Sequence, residues 1–216
     1  MPEFSGAVAA VVGTFAWVLL GVGGGNEAAA QSDVGFDLRA VRLVQEFVPD
    51  GDPGQCNGAA SGRIVSAGDQ FSPDIRIDTD NRPGGCQYRI GIVDPSGQLA
   101  QHGFHVWMRF AADGDRRQCG NQGTYDIPVS RDLTNVQFTP AIRIDTGKRP
   151  GGCPITWSTS GWPLVVLEVR FAADGDPRQC LNTGTHSTAD GTVTVHLNTD
   201  NRPGGCRLSL RLVRAS

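Results

Sequence analysis

The chain is poor in lysine. Lys148 is the only one, so nearly all of the 19 basic residues are arginine. Charge as a whole is sparse, at 19% of residues, and the net charge is −3. Glu3 and Glu27 are the only charges in the first thirty residues. The remainder therefore carries 19 basic against 20 acidic groups, a net of −1. A near-neutral chain has no electrostatic footprint for nucleic acid, because phosphate binding rests on a basic surface. No C-x-x-C pair occurs, and His102, His105, His186 and His196 show no metal-ligand spacing, so no zinc site is expected. Aromatics are few, at 7%, which with sparse charge suits a turn-rich β protein better than a helical one. After residue 30 no hydrophobic run is long enough to span a bilayer.

Glycine is abundant, with 29 residues, and six cysteines are present. Both suit a turn-rich β protein made in an oxidising compartment. Residues 7–25, AVAAVVGTFAWVLLGVGGG, are apolar and uncharged, and Ala28 and Ala30 follow in EAAAQS. This pattern predicts a signal peptide, or an N-terminal anchor, over residues 1–30. The expected location is secreted, extracellular or periplasmic.

The main signal is internal repetition. TDNRPGGC stands at 79–86 and again at 199–206, with TGKRPGGC at 146–153. The stretches VRLVQEFVPDGDPGQC, HVWMRFAADGDRRQC and VLEVRFAADGDPRQC end at Cys56, Cys119 and Cys180. The unit of about sixty residues thus occurs three times. Its bounds are 36–97, 104–160 and 164–216.

Each unit holds period-2 segments, the pattern of half-buried strands. The first strand places Leu43/Val106/Leu167 and Phe47/Phe110/Phe171 on one face. Val44/Trp107/Glu168 and Glu46/Arg109/Arg170 lie on the other. The second places Ile75/Ile142/Val195 inward, and the third Tyr88/Ile155/Leu208. The variable segment between the first two strands can add a fourth, as in GTYDIPV at 123–129. The fold class expected is all-β: three tandem disulfide-stapled repeats packed as one pseudo-threefold domain, trefoil- or prism-like in repeat number. Three small β-sandwich-like units in tandem are the alternative. A lone sixty-residue unit buries little apolar surface, which favours shared packing.

Pairing of cysteines within units gives Cys56–Cys86, Cys119–Cys153 and Cys180–Cys206. A ring between neighbouring units is the competing set, and spacing alone does not decide between them. Pairing within units brings Asp50, Asp52 and Gln55 toward Arg82. It likewise brings Asp113, Asp115 and Gln118 toward Arg149, and Asp174, Asp176 and Gln179 toward Arg202. Turn chemistry alone accounts for these residue types. They are also forked donors and acceptors suited to sugar hydroxyls. Trp107 and Trp162 are candidate aromatic platforms, and Trp157 reads as core. Calcium is a further candidate through the oxygen-rich DTDN segments, although the middle unit lacks them and no EF-hand spacing is present. A Ser–His–Asp set is conceivable at His186, Ser187 and Asp190, without a nucleophile elbow. Repeated sites suit multivalent binding better than catalysis. The function expected is a secreted, non-enzymatic, lectin-like module for extracellular or cell-surface glycans. The alternative is a structural, self-associating protein of a fibre, surface layer or envelope matrix.

Overall fold

The computed structural model describes residues 36–58, 62–78, 84–145, 151–198 and 203–216. The expected leader at 1–30, the DTDN oxygens at 79–81, and Arg82, Arg149 and Arg202 all lie outside the described residues.

The protein is all-β. Repeat 1 contributes β1 (Arg42–Gly51), β2 (Cys56–Gly58), β3 (Gly62–Ala67), β4 (Ile75–Asp78) and β5 (Gly84–Val93). A one-turn helix α1 (Gln98–Gln101) leads to repeat 2. That repeat holds β6 (His105–Phe110), β7 (Asp113–Gly114), β8 (Cys119–Gly120), β9 (Gly123–Asp126), β10 (Val129–Ser130), β11 (Ile142–Asp145) and β12 (Gly151–Ser160). Repeat 3 holds β13 (Val165–Gly175), β14 (Cys180–Leu181), β15 (Gly184–Ser187), β16 (Val193–Asn198) and β17 (Gly204–Arg214). The short fourth strand is present in every repeat, as β3, β9 and β15.

These strands form three sheets, and none belongs to one repeat alone. The first runs β3-β1-β5-β11-β8, with β10 parallel to β5. The second runs β14-β16-β12-β6-β9, with β7 beside β12. The third runs β15-β13-β17-β4-β2. Each repeat keeps its long strands in its own sheet. It lends its second strand and the strand at its first cysteine to the sheet of a neighbouring repeat. Repeat 2 lends to repeat 1, repeat 3 to repeat 2, and repeat 1 to repeat 3, so the pairing closes on itself.

The alternating pattern fixes which side chains turn inward. Phe47, Phe110 and Phe171, with Ile90, Trp157 and Leu210, are at most 1% exposed and join one hydrophobic cluster fed by all three sheets. One polar pair sits among them: the Tyr88 hydroxyl donates to Gln45 Oε1 at 2.9 Å. Burial without a charged partner pushes the Tyr88 phenol far above its ordinary pKa, so it stays a neutral donor.

The disulfides are Cys56–Cys86, Cys119–Cys153 and Cys180–Cys206, as within-unit pairing predicts. Strand exchange gives them a second role. Cys56 is on β2 in the third sheet and Cys86 on β5 in the first. Cys119 and Cys153 join the first sheet to the second, and Cys180 and Cys206 join the second to the third. Each bond lies inside one repeat yet ties two sheets together.

Candidate functional site

The repeated polar loops are joints between repeats. The first Asp of Asp-Gly-Asp reaches an arginine or a histidine on the strand lent by a neighbour. Asp50 accepts from Nε and Nη2 of Arg143. Asp174 Oδ2 accepts from Arg76 Nε at 2.6 Å and from Arg207 Nη2 at 2.8 Å. In the second sheet the partner is His196, whose Nε2 lies 2.7 Å from Asp113 Oδ2 without the alignment of a hydrogen bond. The guanidinium of Arg143 holds the Asp50 carboxyl below its ordinary pKa, and Arg76, then Arg207, do the same for Asp174. In return Asp50 raises the pKa of Arg143, so this cation does not titrate.

The second Asp caps a single 3-10 turn. Asp52 accepts from the Gly54 amide at 2.7 Å, Asp115 from Arg117 at 3.0 Å and Asp176 from Arg178 at 2.9 Å. Gln55, Gln118 and Gln179 close those turns and are fully buried beside the disulfides.

The Gly-Gly pairs have distinct duties. Gly84, Gly151 and Gly204 have φ of +107°, +99° and +106°, which L side chains rarely adopt. Gly85, Gly152 and Gly205 lie against the lent strand. A Cβ there would stand 2.3 Å from the Ile144 carbonyl oxygen, 2.1 Å from that of Leu197 and 2.5 Å from that of Ile77. Trp162 is 7% exposed, with one neighbour in Phe36 at 4.8 Å and another in His102, stacked at 4.3 Å. Its ring is packing material for the fold and offers no platform. Of the aromatic candidates, Trp107 lines an open recess, and it is half-buried there.

That recess exists because the threefold pattern is broken. On the outer face of the first sheet, residues 131–140 cross the strands. The Gln137 carbonyl sits so close to Gly91 that a Cβ would be 2.2 Å away, and Phe138 lies under Arg89 and Arg63 at 4.6 and 5.7 Å. On the third sheet Phe71 lies under Arg170 and Arg211 at 4.5 and 4.4 Å. Both covers carry Phe-Ser/Thr-Pro four residues before the second strand's first inward Ile. Ser72 and Thr139 pin them through backbone bonds to Leu210 and Ile90. Repeat 3 has Gly-Thr-Val at the same place, with Gly191 where the others have Phe. Its variable segment is also the shortest, and among the described residues no Phe-bearing segment covers the outer face of the second sheet.

What is left open is a polar floor. Trp107, Arg109, Thr124, Thr156, Ser158, Thr192 and Thr194 line a recess of about 400 Å3. Thr192 and Thr194 also line an adjoining recess of about 520 Å3, with Glu168, His186, Ser187 and Asp190 on its walls. The strand register sets Arg109 opposite Thr124 and Thr156, Thr156 opposite Thr194, and Trp107 opposite Ser158 and Asp126. The Trp107 and His105 rings run parallel at 6.2 Å. Arg109 is exposed and, among the described residues, makes no ion pair. Glu168 is held by Arg211 at 2.7 Å, and His186 Nε2 lies 2.9 Å from the Asn182 carbonyl oxygen, so the two are not arranged as a catalytic pair.

Sequence reasoning found Trp107 and the outward position of Arg109, but missed the recess. The signal was present in Phe-Ser-Pro, Phe-Thr-Pro and Gly-Thr-Val, visible only when the variable segments are aligned backwards from the second strand. Among the described residues no group of three or more His, Cys, Asp or Glu side chains is placed to hold a metal ion, and no helix is long and apolar enough to cross a membrane. No protein-family model matches this chain, and neither a curated protein nor a solved structure is significantly similar to it.

Proposed function

We propose that this is a secreted carbohydrate-binding module that holds a glycan on the open outer face of its second sheet without cleaving it. The observation that carries the reading is the lost cover: two of three equivalent faces carry a Phe ring stacked on their outward arginines, and among the described residues the third carries none. The exposed chemistry suits a sugar. Trp107 supplies a flat apolar surface, and Thr124, Thr156, Ser158, Thr192 and Thr194 supply hydroxyls that both donate and accept. The two adjoining recesses fall within the size range of small-ligand sites. Secretion is supported by the apolar leader pattern and by three disulfides, which persist in oxidising compartments. A binding rather than hydrolytic role is supported by Glu168, whose carboxylate is committed to Arg211.

The test is a glycan array on the oxidised protein, run with calcium and with chelator. Binding to a defined sugar class, lost in Trp107→Ala while the unfolding midpoint stays put, is the expected result. Absence of binding across the array rejects the reading, and release of reducing ends from a bound glycan rejects the non-enzymatic part. Chelator sensitivity would bring the acidic loops back as calcium sites.

A further inference from the structure

Resting on that reading, we propose that the open face selects an acidic saccharide, with a hexuronate carboxylate seated on Arg109. The protein carries its own pattern for this contact. Arg170, on the third sheet, is the repeat equivalent of Arg109. Its Nη2 donates to Asp74 Oδ1 at 3.3 Å and to Ser209 Oγ at 3.1 Å. The Ser209 hydroxyl also donates to Asp74 Oδ1, and the Phe71 ring lies under the guanidinium. An arginine at this position is thus met by a carboxylate, a hydroxyl and a ring.

The open face keeps the arginine and the hydroxyl but lacks the other two. Thr156 stands where Ser209 does, each directly across from its arginine. Thr194 stands where Asp74 does, and Gly191 where Phe71 does. Thr156 Oγ1 and Thr194 Oγ1 are 2.8 Å apart, the neutral counterpart of the Ser209–Asp74 contact. The carboxylate and the ring have gone together from one face, leaving Arg109 without an ion-pair partner among the described residues. A hexuronate supplies the carboxylate. Its carboxylate fits the fork of the guanidinium, and its ring lies over the floor beside Trp107. The first sheet marks the contrast: Glu46 occupies the equivalent position and is neutralised by Arg89, at 2.7 Å, on the neighbouring strand.

The experiment is titration calorimetry of the oxidised full chain with hexuronate oligomers, each paired with its carboxyl-reduced neutral counterpart, and with sulfated oligomers of the same length. The hexuronate is expected to bind about tenfold or more tightly than its neutral partner, because a charge-assisted forked pair is lost on reduction. Arg109→Gln should erase the preference and leave neutral-level binding. Thr194→Asp, which installs the equivalent of Asp74, should do the same by occupying Arg109 from within. Circular dichroism checks that each variant is folded, and Arg109→Gln alone suffices if Thr194→Asp does not fold. Equal affinity for the acidic and neutral oligomers overturns the carboxylate assignment and leaves the glycan reading standing. Preference for sulfate over carboxylate also overturns it. Binding of none of them overturns the hexuronate assignment, and the array then decides the glycan reading by itself.

Discussion

Replacing Arg143 by alanine tests whether the repeats are held together by the latch that joins them. Arg143 lies on the strand that repeat 2 lends to the first sheet, and its guanidinium donates to Asp50 through two nitrogens and to Asp145 at 3.2 Å. The Arg143 and Asp50 side chains keep 30% and 26% of their surface in water, so the pair is neither free nor sealed. Charge-assisted hydrogen bonds contribute about 1.5–3 kcal/mol when buried. Residual solvent places this one near the lower end, at about 1.5–2 kcal/mol. The loss should depend on pH with a defined sign. Asp50 has a folded pKa below its ordinary value of 3.8, so its stabilisation is complete above that pH and fades as pH falls through the folded value. Urea unfolding at steps from pH 7 to pH 2.5 should show the variant weaker by the full amount at pH 5 and above. The two curves should converge as pH falls through the lowered folded pKa of Asp50, where it takes up its proton in both proteins. A deficit independent of pH would mean that Arg143 acts through its packed hydrocarbon stem and would refute the latch.

Three further outcomes follow from the same geometry. Gly205→Ala sets a Cβ 2.5 Å from the Ile77 carbonyl oxygen, and should cost about 2 kcal/mol or more in chemical unfolding, where an exposed Gly→Ala change costs little. Replacing both Cys119 and Cys153 by alanine opens a loop of sequence separation 34 and should cost about 3–4 kcal/mol in the chain-entropy account, read from the urea midpoint. Trp162→Ala should lower the unfolding midpoint by the equivalent of about 3–5 kcal/mol while glycan affinity per folded molecule is unchanged; a selective loss of binding would restore it as a platform.

The repeat length and strand phases were legible because each rests on local spacing, whereas the cysteine pairing was one of two sets until the structure chose the within-unit one. Phe47, Phe110 and Phe171 stand nine residues before a cysteine in an alternating run, and all three are core. Strand exchange was not legible. Pairing of β4 with β17 joins residues more than a hundred positions apart, and no local pattern encodes which repeat a strand will serve. That hidden step also explains the reassignment of the Asp-Gly-Asp carboxylates. Read within one repeat, Asp50 has its own loop for company. In the fold it faces Arg143, ninety-three residues away. Turn chemistry was the stronger reading of Asp52, Asp115 and Asp176, each of which caps its own turn. The open face escaped notice because it arises from missing residues in repeat 3, whereas motif reading responds to what recurs.

Strand exchange also constrains the order of assembly. The third sheet takes β2 and β4, within residues 56–78, and lays them beside β17, which ends at Arg214. During translation those early strands have no partner edge until most of the chain has been made. The first repeat therefore leaves the ribosome with a bare edge strand that must be kept from pairing with other chains. Oxidation of Cys56 with Cys86 needs only residues made early, so it can tether β2 to β5 while the third sheet is still missing. The first disulfide then serves as a placeholder in time, holding a strand beside its own repeat until the third repeat arrives to receive it.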